Sequence, residues 1–250
     1  MSNTFSNTQL KAQAKEKSLD RYGSLILANI LIFIIQFIIS GITTVSTSGN
    51  IFIFVFNLLI NLIVSILLGV LVSGKAYLYM NLVYSQTISA SDIFFGLKQH
   101  PEKAVTIQAV FVLVDFIVSL PGSVLMFIVR RNPSDNGYIM LLIALLFGFV
   151  VNIYVALVYS QAFFLLHDFP ERSAKELLAT SRHLMQGNKL RLFMLHVSFI
   201  PLYILGIITL FIPLLWISVY RYATTAVFYQ NLISNASNAT VQKEEPYGLN

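Results

Sequence analysis

The sequence contains no cysteine among its 250 residues, which excludes disulfides, thiolate metal sites and cysteine nucleophiles. Charge is also scarce, because charged residues make up only 11% of the chain, whereas a soluble domain carries about 25%. Hydrophobic residues, in contrast, make up 56% of the chain, and its mean hydropathy is +0.75. This composition indicates an integral membrane protein.

Six apolar stretches are long enough to cross a membrane as helices. They cover approximately residues 23–43, 51–73, 104–129, 138–166, 192–210 and 213–232. The predicted fold is therefore all-α, a polytopic membrane helix bundle with about six transmembrane helices and short cytoplasmic amphipathic helices. The first stretch exceeds the core of a signal peptide, so we expect it to be retained.

The chain divides into three parts by polarity. Residues 1–22 form a polar, cytoplasmic N-terminal segment, residues 23–233 form the membrane domain, and residues 234–250 form a polar tail. Its composition predicts that the tail is disordered and cytoplasmic.

The net charge of +5 comes from basic residues that flank the apolar stretches. They are concentrated in the N-terminal segment, before the third stretch and between residues 172 and 191, whereas Arg130 and Arg131 alone fall on the opposite side. The positive-inside rule then places both termini in the cytoplasm. This pattern is typical of a membrane face, so we expect no nucleic-acid partner.

A short amphipathic helix is predicted between the fourth and fifth stretches. Ser173 and Glu176 have the spacing of a capping box, and Gly187 stands where a left-handed C-terminal cap is needed. An apolar stripe follows at helical spacing, formed by Leu177, Leu178, Ser181, Leu184 and Met185. A second surface helix is expected near residues 89–101, capped by Ser91.

Two interpretations of the central helix remain open. In the first, it is a structural belt whose stripe packs on the bundle or on lipid headgroups. In the second, it recognises anionic lipid, since each basic residue near an anionic leaflet contributes about 1 kcal/mol. The candidate lipid-binding residues are Arg172, Lys175, Arg182, Lys189 and Arg191.

Two charged residues fall inside predicted spans. Asp115 lies roughly 16 Å and Arg221 roughly 12 Å from the start of its span, at 1.5 Å per residue. Both are therefore near the middle of a hydrocarbon core about 30 Å thick. We expect them to form an intramembrane ion pair. The alternative is a protonated Asp115 bonded to a neighbouring helix, with Arg221 reaching toward an interface.

The polar residues match no catalytic or metal-binding motif. His167 and Asp168 are adjacent, with Glu171 nearby, but their spacing matches no metal-ligand pattern. No serine-nucleophile, phosphate-loop or zinc-protease signature occurs. We therefore expect no enzyme activity, no metal and no cofactor.

Several residues match a family pattern over most of the chain. The most specific are Tyr159, Ser160, Ala162, Ser173, Ala174, Glu176, Leu177, Ser181, Leu184, Met185, Gly187, Asn188, Lys189, Arg191, Leu192 and Phe193, followed by Ser198, Phe199, Ile200, Leu214, Leu215, Trp216, Tyr220, Ala226, Phe228 and Tyr229. In these positions the sequence resembles the bacterial multi-pass membrane family known as domain of unknown function 975. The resemblance implies a bacterial plasma membrane and no particular reaction. A remoter similarity to the membrane domains of glycerophosphodiester phosphodiesterases implies work near lipids.

These observations predict a non-enzymatic protein that organises membranes or mediates interactions. Its expected partners are membrane lipids, contacted at the cytoplasmic face, and other membrane proteins. The alternative is a small transporter, or a subunit of one, with polar residues inside the bundle. Convergence of Asn57, Asn61, Asp115 and Arg221 around water would favour transport, and a filled core would favour the first function.

Overall fold

The computed structural model describes residues 5–43 and 51–244, which are helical throughout apart from short connections and contain no strand. The helices are α1 (Asn7–Ser18), α2 (Tyr22–Thr43), α3 (Ile51–Leu67), α4 (Gly69–Val83), α5 (Phe95–Lys98), α6 (Pro101–Arg131), α7 (Asp135–Val158), α8 (Ala162–Asp168), α9 (Ala174–Leu184), α10 (Lys189–Val197), α11 (Ile200–Ile208) and α12 (Leu214–Glu244). The prediction of an all-α membrane bundle is confirmed.

Five continuous helical segments are long and apolar enough to cross a membrane. They are Asn7–Gly41, Ile51–Val83, Pro101–Arg131, Asp135–Asp168 and Lys189–Ile208. The sixth predicted span forms α12, which is less apolar because it carries Arg221, Gln230 and Asn231. Val219 and Phe228 of α12 have no exposed surface, so α12 is an internal helix of the bundle.

The N-terminal segment belongs to the bundle. A 3₁₀ turn (Leu19–Arg21) joins α1 to α2, and α1 packs against α12 with Leu10 and Ala14 fully buried. At the other terminus α12 continues to Glu244. The tail, which was predicted to be disordered from Ser234 onward, is therefore helical as far as Glu244. Residues 245–250 lie outside the described part of the chain.

The buried core lies toward one end of the bundle. It is centred on large side chains that have almost no exposed surface, among them Tyr79, Ile93, Phe164, Leu177 and Tyr229. The spans beyond this core carry many exposed apolar side chains, as lipid-facing helices do.

The connection after α4 crosses that helix at very short range. A Cβ atom at Gly74 would overlap the carbonyl oxygen of Ile93, and one at Gly96 would overlap that of Val70. The short 3₁₀ helix in this connection, Ala90–Phe94, is capped by Ser89, whose N–H donates to the Asp92 carboxylate at 2.9 Å. The prediction of Ser91 as the cap was therefore wrong. Asp92 gives Ser89 the reciprocal partner of a capping box, which Ser91 lacks.

Basic segments that are distant in sequence meet at this same end. Lys17 Nζ donates to the carbonyl of Val83, and Lys103 Nζ donates to that of Pro170, both at 2.5 Å. We call the region formed by α1, the end of α4, α5, the start of α6 and α9 the basic end. The 31 residues of α6 separate the basic end by about 46 Å from the turn that follows Arg131.

Candidate functional site

The predicted capping box starts α9. Ser173 Oγ accepts from the Glu176 N–H at 3.3 Å, and the Glu176 carboxylate accepts from the Ser173 N–H at 2.8 Å. These hydrogen bonds hold the pKa of the Glu176 carboxyl below its usual value. After the helix, Gly187 has a φ of +78°, which lies in the left-handed region that glycine adopts without strain. This is the conformation that the sequence predicted for the C-terminal cap.

The apolar stripe of α9 faces the protein. Leu177, Ser181 and Met185 have no exposed surface, and Leu178 and Leu184 are partly buried against the core. Ser181 Oγ donates to the Val158 carbonyl at 3.2 Å and accepts from the Gln161 N–H at 3.3 Å. The helix is thus fixed to the junction of α7 and α8, which leaves its basic face outward.

A cavity of about 560 Å³ opens between α9, α6 and Tyr159, and we call it the cavity beneath α9. Lys175, Arg182 and His183 line one side. Thr106, Val110 and Leu178 contribute to its remaining, mostly apolar wall. Lys175 and Arg182 are exposed, and within the described residues neither has an acidic partner closer than 4.0 Å. Cations beside an apolar wall are the surroundings that an anionic lipid headgroup and the start of its acyl chain require.

Two other candidate lipid-binding residues flank this cavity without lining it. The Arg172 guanidinium lies over the Phe169 ring at 4.6 Å and is 4.0 Å from the Glu171 carboxylate. Lys189 Nζ donates to the Tyr154 hydroxyl at 3.3 Å and lies 4.9 Å from the centre of that ring. Arg172 is exposed and Lys189 is half-buried, so both charges stay near the surface.

Arg191, the fifth candidate, is structural. Its Nη2 donates to the carbonyl of Phe5 and to Asn231 Oδ1, the latter at 3.2 Å. The guanidinium also lies over the Phe228 ring at 5.2 Å. Arg191 therefore ties the start of α1 to α12 from within the bundle. Of the five residues predicted to contact lipid, Lys175 and Arg182 are the two that the structure places together in a cavity.

The expected ion pair between Asp115 and Arg221 is not formed. Asp115 Oδ1 accepts from Asn152 Nδ2 at 2.7 Å and from Ser119 Oγ at 3.0 Å. Arg221 Nη1 lies 3.5 Å from His196 Nδ1. The depth estimate placed both residues in the membrane, but it could not show that Asp115 faces α7 while Arg221 faces α10.

Asp115 also borders a small cavity of about 180 Å³ between α3 and α6, whose lining is more apolar than polar. Asn61, Ser65, Ser119 and Ser123 contribute polar groups to its lining. The convergence of polar residues that would favour transport is therefore partial. Asn61 and Asp115 meet here, whereas Arg221 belongs to another part of the bundle.

His167 and Asp168 join α8 to its neighbours. His167 Nε2 lies 2.9 Å from the Ser73 carbonyl oxygen, and the Asp168 carboxylate accepts from the hydroxyls of Tyr84 and Tyr229. Burial, together with the Asp168 charge, raises the pKa of Tyr84 to about 12. Tyr84 and Tyr229 were not predicted, because each is far from Asp168 in the sequence.

Comparisons with known proteins place the chain in a family. Neither a search of curated proteins nor a search of solved structures gave a match. The family model described as "Protein of unknown function (DUF975)" matches residues 1–236, nearly the whole chain. This match covers α9, its cavity and most of the internal helix α12, and it confirms the resemblance seen in the sequence. The chain belongs to the DUF975 family.

Proposed function

We propose that the protein is a non-enzymatic membrane-organising or interaction protein that contacts anionic lipid through the cavity beneath α9. The observation that carries this proposal is the pairing of Lys175 and Arg182 beside an apolar wall. The setting we propose is a bacterial plasma membrane, with both termini and the basic end on the cytoplasmic side.

The charge balance at the cavity supports an anionic ligand. The acidic residue adjacent in sequence, Glu176, uses its carboxylate to cap α9. Lys175 and Arg182 therefore keep their charges available. A long basic side chain places its stem on apolar surface and its charged head at the headgroup level. Tyr159, which also lines the cavity, is of the type enriched at that level.

The test is retention of anionic lipid by the purified protein. Lys175→Gln with Arg182→Gln removes about 2 kcal/mol of attraction at about 1 kcal/mol per basic residue, which corresponds to roughly 30-fold in affinity. We expect native mass spectrometry to show fewer bound phosphatidylglycerol molecules. The matched control is Lys15→Gln with Lys98→Gln, which changes the net charge equally at two exposed positions of the basic end. Equal loss in both double variants, or no loss in either, would contradict the proposal.

A second candidate function, transport, rests on the polar groups that line the cavity beside Asp115. A water-filled path would make cysteines at Ser65 or Ser119 reactive toward a water-soluble thiol reagent in the intact membrane. A cysteine at Ile117, which is exposed on the apolar surface of α6, is the control for lipid-facing positions. Reaction at Ser65 and Ser119 but not at Ile117 would favour transport. Protection at all three positions would favour the first proposal.

A further inference from the structure

Lys75 and Arg221 are two of the cations inside the bundle that have no acidic partner among the described residues. Lys75 Nζ, on α4, lies 4.6 Å from the centre of the Tyr222 ring and 6.0 Å from that of Tyr79. Arg221 directly precedes Tyr222 on α12, so both cations lie beside this tyrosine. In the part of the chain that the structure describes, neither cation has a carboxylate within 4.0 Å.

Two polar atoms, one on α2 and one on α12, are buried without a hydrogen-bond partner in the described part of the chain. Tyr79 is fully buried, accepts from Asn29 Nδ2 at 3.0 Å and packs on Tyr222 with ring centres 4.6 Å apart. Asn29 Oδ1 and Arg221 Nε are buried and have no hydrogen-bond partner among the described residues. The cationic cluster, as we name it, consists of Lys75, Arg221, Asn29, Tyr79, Tyr222 and His196.

The described residues supply no counter-ion to the cationic cluster. Asp168 accepts from Tyr84 and Tyr229, and Asp115 accepts from Asn152 and Ser119. The faces of Tyr79 and Tyr222 attract Lys75, but a cation–π contact offsets only part of the cost of burying a charge. His196 Nδ1 gives Arg221 a neutral partner, which leaves the guanidinium charge uncompensated.

We propose that the cationic cluster binds a phosphate-bearing oxyanion, either the headgroup phosphate of a lipid or free inorganic phosphate. An oxyanion neutralises both cations at once, and a guanidinium donates to two of its oxygens in parallel. The free Nε of Arg221 supplies one such donor, and the Lys75 ammonium adds a point charge. This site is formed by α2, α4, α10 and α12, so it is separate from the cavity beneath α9 and does not rest on the proposed function.

Thermal unfolding of the purified protein in neutral detergent tests this site. The probes are inorganic phosphate, short-chain phosphatidylglycerol and, as an ionic-strength control, chloride. We expect a saturable rise in Tm with at least one phosphate probe and none with chloride. A rise with inorganic phosphate alone identifies the free anion as ligand, and a rise with phosphatidylglycerol alone identifies the lipid. No phosphate-dependent rise in the unmodified protein would overturn the proposal.

Lys75→Met makes the test specific to the cationic cluster. Without any anion this variant should have a higher Tm than the unmodified protein, because one of two partly buried cations without a counter-ion is gone. With the effective probe its Tm should no longer rise. An unchanged response in Lys75→Met would overturn the proposal, whatever its Tm without the probe.

Two further variants assign the response to particular side chains. Arg221→Lys keeps the charge but loses the planar fork, so the half-saturating probe concentration should increase about tenfold. An unchanged concentration would contradict the assigned role of Arg221. Lys175→Gln with Arg182→Gln should leave the response intact, and loss of the response there would instead assign it to the cavity beneath α9.

Discussion

Single small residues decide where helices of this protein touch. The backbone of α4 approaches the segment 89–98 closely only because Gly74 and Gly96 have no Cβ atom. Ser181 plays a similar part on α9, where its hydroxyl bonds two backbone groups at the junction of α7 and α8. Contacts of this kind are typical of membrane helices, whose association relies on close packing and interhelical hydrogen bonds.

Gly74→Ala should therefore destabilise the protein. The added methyl group overlaps the Ile93 carbonyl oxygen, and a backbone shift to accommodate it costs roughly 1–3 kcal/mol. Gly23→Ala is the matched control, because nothing lies within 4 Å of a Cβ at that helical position. There the substitution should stabilise α2 by up to about 1 kcal/mol. Equal Tm changes for the two variants would contradict the close approach.

Asp115 should couple to Asn152 and not to Arg221. A double-mutant cycle with Asp115→Ala and Asn152→Ala should give a coupling free energy of about 0.5–3 kcal/mol, the range for residues in contact. The control cycle, Asp115→Ala with Arg221→Gln, should be additive to within about 0.5 kcal/mol. Unfolding in a denaturing detergent supplies both values. Strong coupling in the control cycle would restore the ion pair that the sequence suggested.

At the scale of whole elements, α1 is an integral helix of the bundle. Lys11 Nζ donates to the Ser198 carbonyl at 3.1 Å and lies over the Phe199 ring at 4.3 Å. Leu10 and Ala14 fill the contact with α12, and Arg191 holds the carbonyl of Phe5. The polar composition of residues 1–22 does not reveal that α1 packs in the bundle, because one narrow buried face is enough to attach a helix.

Leu10→Ala should release α1. A leucine-to-alanine change in a core costs about 2–5 kcal/mol. Trypsin should then cleave at Lys11 and Lys15 faster than in the unmodified protein, while the spans stay intact. Thr8→Ala, at an exposed position of the same helix, is the control and should leave the cleavage rate unchanged. Equal rates in all three proteins would contradict the role of Leu10 in holding α1 to the bundle.

The sequence predicted individual elements better than the contacts between them. The capping box of α9 is local, since Ser173 and Glu176 are three residues apart, and apolar length defines the spans. The partners of Asp115 and Arg221 depend on how α6, α7, α10 and α12 are rotated about their axes. Hydropathy carries no information on that rotation. Likewise, α12 was predicted as a sixth span from its apolar length, although other helices cover much of its surface.

At the scale of the whole molecule, basic segments from four parts of the chain meet at one end. Hydrogen bonds from Lys17, Lys103 and Arg21 to backbone carbonyls hold this end together. The turn after Arg131 lies at the far end of α6. This arrangement agrees with the proposed orientation, because these segments, which the positive-inside rule assigns to the cytoplasm, are on one side.

Single cysteines at Asn136 and Gln186 test the orientation in a chain that otherwise has none. Both positions are exposed, and we place Asn136 outside and Gln186 in the cytoplasm. In intact cells an impermeant thiol reagent should label Asn136→Cys and leave Gln186→Cys unlabelled until the membrane is opened. Labelling of both variants in intact cells, or of Gln186→Cys alone, would refute the proposed topology.

We propose that anionic lipid occupies the cavity beneath α9, and photo-crosslinking in vesicles tests this occupancy most directly. A phosphatidylglycerol with a photoreactive group near its headgroup is compared with the equivalent phosphatidylcholine, and the labelled peptides are mapped by mass spectrometry. We predict labelling by the anionic probe within α9 and near Thr106, reduced in Lys175→Gln with Arg182→Gln. Equal labelling by both probes, or labelling confined to the exposed apolar faces of the spans, would contradict the claim.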